Sequence, residues 1–294
     1  SVHPSGLSRR MRIGWGFPSG SPAVHPAVDA TCWDGAVSFL IAHRGHSARA
    51  PENTMAAFRA AADAGFGWIE TDVDLLGDGT AVLIHDATLE RTTDAVGPVA
   101  ELIRTDLAGI DAGSWFSSAH AGQRVPQLGE LIELAEVRGL NLNLELKLSD
   151  PTPRRTTRFL ETVTEHLDRL APEREVIVSS FNHELLAAFH RAAPGYATAC
   201  LFEPLQMAPW SRRSEWREAV RSTGATWVHP HHRDLSRATV RLLHAEGLGV
   251  NTWTVNDRGR SRKLAAWGVR GMCTDGPERV IRQFARIPAG RHSA

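Results

Sequence analysis

Leucines fill every even position of residues 140–148 (LNLNLELKL), and Asn141, Asn143, Glu145 and Lys147 fill the odd positions between them. A period of two sends successive side chains to opposite faces, so this stretch predicts a strand with one apolar face and one charged face. Residues 36–42 (AVSFLIA) form a short apolar run ending at His43, which predicts a buried strand. Thr54 can cap a helix whose apolar positions are Met55, Phe58, Ala61 and Ala62, with Gly65 as its stop. Residues 67–76 (GWIETDVDLL) then alternate as a strand, Gly77-Asp78-Gly79 makes a tight turn, and residues 80–86 (TAVLIHD) return. Pairing across that turn sets His85 beside Thr71 and Asp72.

Residues 87–126 show no clear period, and a long irregular excursion of this kind is commonly a lid or cap. A helix follows over 128–138, with apolar Leu128, Leu131, Ile132 and Leu134, and Gly139 ends it. Beyond residue 148 helix and strand alternate. Helices are predicted at 155–170, 184–192, 212–222, 236–246 and 258–267, and strands at 175–181, 196–202, 225–230, 248–256 and 269–275. A last helix starts near Pro277. Such alternation implies a parallel sheet. Of nine strands, 80–85 is an accessory hairpin partner, and the other eight are what a closed TIM (β/α)8 barrel requires. The expected organisation is an irregular N-terminal arm over 1–36 and one barrel domain over 37–294 with a short inserted segment at about 87–126.

Composition narrows the partners. The chain has 294 residues, 42% hydrophobic, and 33 basic residues balance 33 acidic ones, so nothing favours nucleic acid as a general partner. Neutrality overall leaves room for a local basic pocket that holds one phosphate. Cys32, Cys200 and Cys273 are far apart and odd in number, with no zinc-finger spacing, which fits a reducing compartment. No apolar run is long enough to cross a membrane, and Gly, Pro and Ser interrupt the first 20 residues where a signal-peptide core would sit. Cytoplasmic placement is the expectation, with Ser1 in place of an initiator Met leaving a trimmed precursor open.

The chemistry-bearing residues gather around the first hairpin. Glu70 and Asp72 lie two apart, hence on one strand face, and with Glu145 they offer three oxygen ligands to one hard divalent cation such as Mg²⁺ or Ca²⁺. Asp74 shares that face and is expected to support the site rather than ligate. His43 and His85 end apolar runs on either side of the carboxylates and suit a general acid–base pair; a metal-ligating or purely structural histidine is the alternative. Arg44 and Lys147 suit a phosphate, and equally suit ordinary ion pairs with Glu52 and Glu145. Trp253 and Phe181, at strand ends, either wall a substrate's carbon skeleton or belong to the core. The His229-Pro230-His231-His232 run lacks metal-ligand spacing and is read as part of the barrel mouth. Arg212, Arg213 and Arg217 read as a solvated helix face.

These residues carry a family resemblance. His43-Arg44-Gly45, Pro51-Glu52-Asn53-Thr54, Glu70-Thr71-Asp72, Asp78-Gly79, His85-Asp86, Leu89, Arg91-Thr92 and Asp111-Ala112-Gly113 resemble the motifs of glycerophosphodiester phosphodiesterases. So do Val125-Pro126 with Leu128, Glu145-Leu146-Lys147, Ser180-Phe181, Trp253-Thr254-Val255-Asn256 and Thr274-Asp275. The resemblance runs from Ile41 to about Ala285. It implies a phosphodiesterase-type barrel that hydrolyses glycerophosphodiesters to sn-glycerol 3-phosphate and an alcohol with Mg²⁺ or Ca²⁺. It also implies acid–base roles for His43 and His85, metal ligation by Glu70, Asp72 and Glu145, phosphate contacts from Arg44 and Lys147, and a substrate wall at Trp253. Asp74 and Leu76-Gly77 depart from the family pattern without removing a ligand, and leave metal preference open. Two other readings compete. Lysophospholipase D and sphingomyelinase D-like enzymes share the pattern but need an apolar channel, for which Trp115, Phe116 and residues 210–216 are available. A non-catalytic barrel would ordinarily have lost one of the five key side chains, and here all five are present.

Overall fold

The computed structural model describes residues 38–207 and 213–280. The arm expected over 1–36, the first residue of the helix expected at 212, and the continuation of the last expected helix past Val280 lie outside them. In chain order the elements are β1 (Phe39–His43), α1 (Met55–Asp63), β2 (Trp68–Leu75), β3 (Ala81–Leu83), α2 (Leu128–Arg138), β4 (Asn141–Leu146), α3 (Pro153–Leu167) and β5 (Val176–Ser180). They continue with α4 (His183–Ala192), β6 (Ala197–Phe202), α5 (Arg213–Thr223), β7 (Trp227–Pro230), α6 (Arg237–Ala245), β8 (Gly249–Thr252), α7 (Arg258–Trp267) and β9 (Gly271–Thr274). Helix starts are marked by side chains that accept an otherwise unpaired backbone N–H: Thr54 for α1, Thr152 for α3, Asn182 for α4, Ser236 for α6 and Asp257 for α7. Pro277–Arg279 is a single 3₁₀ turn.

The strands run β1-β9-β8-β7-β6-β5-β4-β2, and a β1–β2 pairing closes the ring. All eight of these neighbours are parallel, while β3 pairs antiparallel with β2 and lies outside the ring. The fold is a TIM (β/α)8 barrel. Its sequence logic is visible on β4. Leu142, Leu144 and Leu146 face outward into the main core beneath the helices, together with Phe58, Leu131, Phe159 and Phe189. Inward positions follow a second rule, apolar at the bottom and polar toward the C-terminal end. Ile41 precedes His43, Trp68 precedes Glu70 and Asp72, Ile177 precedes Ser179, and Trp227 precedes His229. Ile41, Trp68, Ile177, Ala199, Trp227 and Cys273 form a plug inside the ring. Gly249 makes room for it, since a Cβ there would lie 2.3 Å from the Trp227 ring. The polar layer is thereby lifted to the C-terminal mouth, where barrels of this kind place their chemistry.

Residues 87–126 are more ordered than their lack of period suggests. Three 3₁₀ segments, Val99–Glu101, Arg104–Gly109 and Ser118–His120, wrap a satellite core of Leu89, Val99, Leu107, Ile110, Ala112 and Val125 packed on Leu76, Val82 and Ile84 of the hairpin. The strand expected over 248–256 is shorter, because after Thr252 the chain leaves the sheet and only a single bridge, His231 to Trp253, remains. No helix among the described residues is long and apolar enough to cross a membrane.

Candidate active site

The hairpin and the ring bring three carboxylates together. Glu70 and Asp72 point inward from β2, and the parallel register places Asp72 directly opposite Glu145 on β4. One oxygen from each residue lies within 4.8 Å of the others, and among the described residues no other His, Cys, Asp and Glu cluster has such spacing. All three are buried. Asp72 Oδ1 is buried and accepts no hydrogen bond, its ion-pair contact being Lys147 Nζ at 3.4 Å, which leaves an anionic oxygen with coordination to spare. An all-oxygen donor set of this charge fits one hard divalent cation. Burial, then the charge of Asp72, raises Glu70 to about 7, and the same two causes raise Glu145 to about 8. Burial acts to raise Asp72 as well, but Arg44, Lys147 and His85 outweigh it and hold Asp72 at about 2.

Four further side chains fix this centre. Asn53, at φ 54°, donates to Asp72 Oδ2 at 2.9 Å and accepts from the Thr71 hydroxyl at 2.7 Å. Arg44, also left-handed at φ 55°, donates its backbone N–H to Glu70 at 2.9 Å and holds Glu52 at 2.7 Å and Asp72 at 3.2 Å through its guanidinium. Lys147 Nζ reaches Glu145 at 2.6 Å and Asp72 at 3.4 Å. Glu52 also takes two hydrogen bonds from Arg91, at 2.8 and 2.9 Å. Asp74 lies apart from the cluster. It accepts from Leu75 N at 2.7 Å and Ser149 N at 3.1 Å, and so ties the end of β2 to the segment after β4.

Each histidine has one ring nitrogen engaged by a carboxylate. His43 Nδ1 lies 2.6 Å from Asp275 Oδ1, and Asp275 is itself held by Asn256 at 2.5 Å and Ser47 at 3.3 Å. His85 Nδ1 lies 2.5 Å from Asp86 Oδ1, and Arg91 holds Asp86. The hairpin register delivers His85 as the turn predicts, with Ile84 N donating to Asp72 O at 3.1 Å. Fixing Nδ1 leaves Nε2 as the exchangeable position on each ring. The two environments pull the rings apart. Burial lowers the pKa of His43, but the Asp275 hydrogen bond and the charge of Glu70 outweigh it, and the result lies above the ordinary value. Burial lowers His85, and Arg44 and Lys147 add to that against the opposing charge of Asp72, so His85 ends below it.

His43, His85, Arg44, Lys147, Glu70 and Glu145 line one cavity of about 310 Å³. Phe181 and Trp253 line its other side, their rings perpendicular with centroids 5.5 Å apart, and Lys147 Nζ is 5.9 Å from the Phe181 centroid. Trp253 is oriented by a hydrogen bond from its indole N–H to His229 O at 3.0 Å. His229 is buried in the cavity wall, its ring 3.1 Å from the Asn251 amide. Sequence reasoning assigned no role to Asp275, Asn256, Asp86, Arg91 or Asn53. Each stands inside a quoted motif, but its partner is set by strand order and not by spacing.

Comparison with known proteins agrees with this geometry. Residues 43–279 match the Glycerophosphoryl diester phosphodiesterase family. The chain is 33% identical over 245 residues to a glycerophosphodiester phosphodiesterase of Caldanaerobacter subterraneus subsp. tengcongensis, covering 83% of this chain and 96% of that one. It is 31% identical over 248 residues to the glycerophosphodiester phosphodiesterase of Bacillus subtilis, covering 81% and 83%. Among solved structures, an Oleispira antarctica phosphodiesterase in complex with the product sn-glycerol-3-phosphate superposes with a TM-score of 0.77 at 30% identity, covering 85% of this chain and 98% of that one.

Proposed function

The chain belongs to the glycerophosphoryl diester phosphodiesterase family and is a phosphoric diester hydrolase, and from that premise we propose that it cleaves glycerophosphodiesters to sn-glycerol 3-phosphate and an alcohol by paired histidine catalysis. The observation that carries the reading is the pair of carboxylate-anchored rings, His43 and His85, facing one cavity beside the Glu70–Asp72–Glu145 cluster. A divalent cation, Mg²⁺ or Ca²⁺, held by those three carboxylates supplies Lewis-acid stabilisation of the phosphate's negative charge when bound. Arg44 and Lys147 donate to the non-bridging oxygens, and Phe181 and Trp253 wall the organic part of the substrate.

His85, the ring biased toward its neutral form, takes the proton of the glycerol hydroxyl next to the phosphate at Nε2. That oxygen bonds to phosphorus while the bond to the alcohol breaks, and His43 Nε2 gives its proton to the departing oxygen. Hydrolysis of the cyclic phosphate runs with the roles reversed: His43 takes a proton from water, the water oxygen bonds to phosphorus as the ring bond from phosphorus to the attacking glycerol oxygen breaks, and His85 returns its proton to that oxygen, restoring the hydroxyl. Direct attack of water on the diester is the competing sequence, and rapid quenching separates the two by the presence or absence of the cyclic product. Cys200 and Cys273 are free buried thiols, which suits a reducing compartment such as the cytoplasm.

The test is turnover of sn-glycero-3-phosphocholine with added Mg²⁺ or Ca²⁺. Activity should vanish with EDTA and return with excess cation. His43→Ala and His85→Ala should each lower kcat by about 10²- to 10⁴-fold. A variant that turns over at near the parent rate removes its histidine from the mechanism.

A further inference from the structure

The barrel mouth has two unlike halves. Strands β1, β2 and β4 deliver the ion-paired histidine, arginine, lysine and carboxylates, whereas β5 to β8 deliver Phe181, Leu201, Glu203, His229, Thr252 and Trp253. If His85 serves the attacking glycerol hydroxyl, the leaving oxygen departs in line, on the far side of phosphorus. That is the side of His43, whose strand is followed round the ring by β9 and then by β8 with Trp253 after its end. The leaving group therefore extends into the second half of the mouth.

Three features of that half select a chemistry. The perpendicular Phe181 and Trp253 rings form a half-buried corner, and the His231 ring extends it at 5.1 Å from Trp253. Glu203 follows β6 on the inward side after Leu201 and, among the described residues, is the only formally charged side chain lining the cavity on this half. Among the described residues no hydrogen bond or ion pair holds its carboxylate, and the His231 ring feels its charge together with those of Asp234, Arg233 and Arg260. The imidazoles here are neutral: burial pushes His229 down to about 3 and His232 down to about 4, and it lowers His231 too. Aromatic faces beside a carboxylate, with the neighbouring Lys147 already ion-paired to Glu145 and Asp72, favour an ammonium group over an uncharged polyol.

We propose that Phe181, Trp253 and Glu203 form a subsite for the ammonium group of an amino-alcohol leaving group, with Glu203 as the residue that sets the preference. The proposal rests on the phosphodiesterase reading above and narrows its substrate class. In the presence of Mg²⁺ or Ca²⁺, kcat/KM is measured for sn-glycero-3-phosphocholine and for sn-glycero-3-phosphoinositol, whose leaving group carries no positive charge. The parent should favour the choline ester by about tenfold. Glu203→Gln should reduce that ratio by about tenfold, chiefly through KM for the choline ester. Glu203→Lys should invert it, and Glu203→Asp should retain most of it. Glu203 is exposed, so these variants fold, and thermal melting checks that they do. A parent ratio near one, or a ratio unmoved in both Glu203→Gln and Glu203→Lys, overturns the subsite and leaves the hydrolase reading standing. No turnover of either ester overturns both.

Discussion

The two catalytic histidines of the proposed mechanism differ in how their carboxylates are supplied. Asp86 adjoins His85 in sequence, whereas Asp275 lies 232 residues beyond His43. The hydrogen bond from Asp275 is among the interactions that raise His43 above its ordinary pKa, so it helps keep the ring charged and able to donate. Asp275→Asn removes that support: the His43 pKa falls, the fraction of protonated acid at neutral pH drops, and the basic limb of the kcat profile moves to lower pH. The expected loss is about 10²-fold or more in kcat, with a smaller change in KM, read from pH–rate profiles of both proteins. At this scale the meeting of the carboxylates and histidines could be read in the sequence, because strand period puts Glu70 and Asp72 on one face and the hairpin turn brings His85 alongside. Asp275 could not, since its partner follows from the closing of the ring, which no local pattern records. Asn53 was hidden for a similar reason. Its left-handed backbone and its bridge from Thr71 to Asp72 belong to the loop after β1.

Among the elements, the β2–β3 hairpin does the most to build the site. Its register was legible because Gly77-Asp78-Gly79 permits few turns, and one pairing then places His85. The strict alternation of β4 was legible too, with leucines outward and Asn143, Glu145 and Lys147 inward. The 3₁₀ segments of the insertion were not, since segments of three to six residues leave no hydrophobic period to detect. The early end of β8 was missed because Trp253 and Val255 continue the apolar pattern of a strand while the backbone leaves the sheet. The insertion and hairpin meet closely at Gly77, where a Cβ would lie 2.9 Å from Ala100 O and 3.2 Å from Leu102 O, and where Gly77 N donates to Leu102 O at 2.8 Å. Gly77→Ala should destabilise the protein by about 1–3 kcal/mol and lower kcat as the hairpin shifts under His85. Gly67, which has open space and no positive φ, is the control: Gly67→Ala should stay within about 0.5 kcal/mol of the parent. Chemical denaturation of both variants makes the comparison.

At the scale of the whole molecule, buried histidines couple folding to pH. Burial alone depresses His229 to about 3, and burial followed by the charges of neighbouring groups depresses His232 to about 4. Both are neutral in the folded protein above those values, whereas in the unfolded chain they take up protons below about pH 6.5. At these two sites the unfolded state therefore binds more protons as pH falls, which costs stability from about pH 6.5 toward pH 4, by at most about 1.4 kcal/mol per pH unit for a fully buried ring such as His229, while proton uptake by the raised Glu70 and Glu145 of the folded protein opposes it. Denaturation midpoints at pH 7 and pH 5 should show that His229→Asn gains stability relative to the parent as pH falls; an equal pH dependence in the two proteins refutes the assignment. A different consequence comes from the ring itself. The three carboxylates and His85 are all encoded within the first half of the chain, but Asp275 stands immediately after β9, the last strand. On a ribosome, the carboxylate cluster is made long before the carboxylate that holds His43. On the proposed mechanism a growing chain stays catalytically silent until β9 docks beside β1, and the onset of phosphodiester cleavage can serve as a clock for barrel closure.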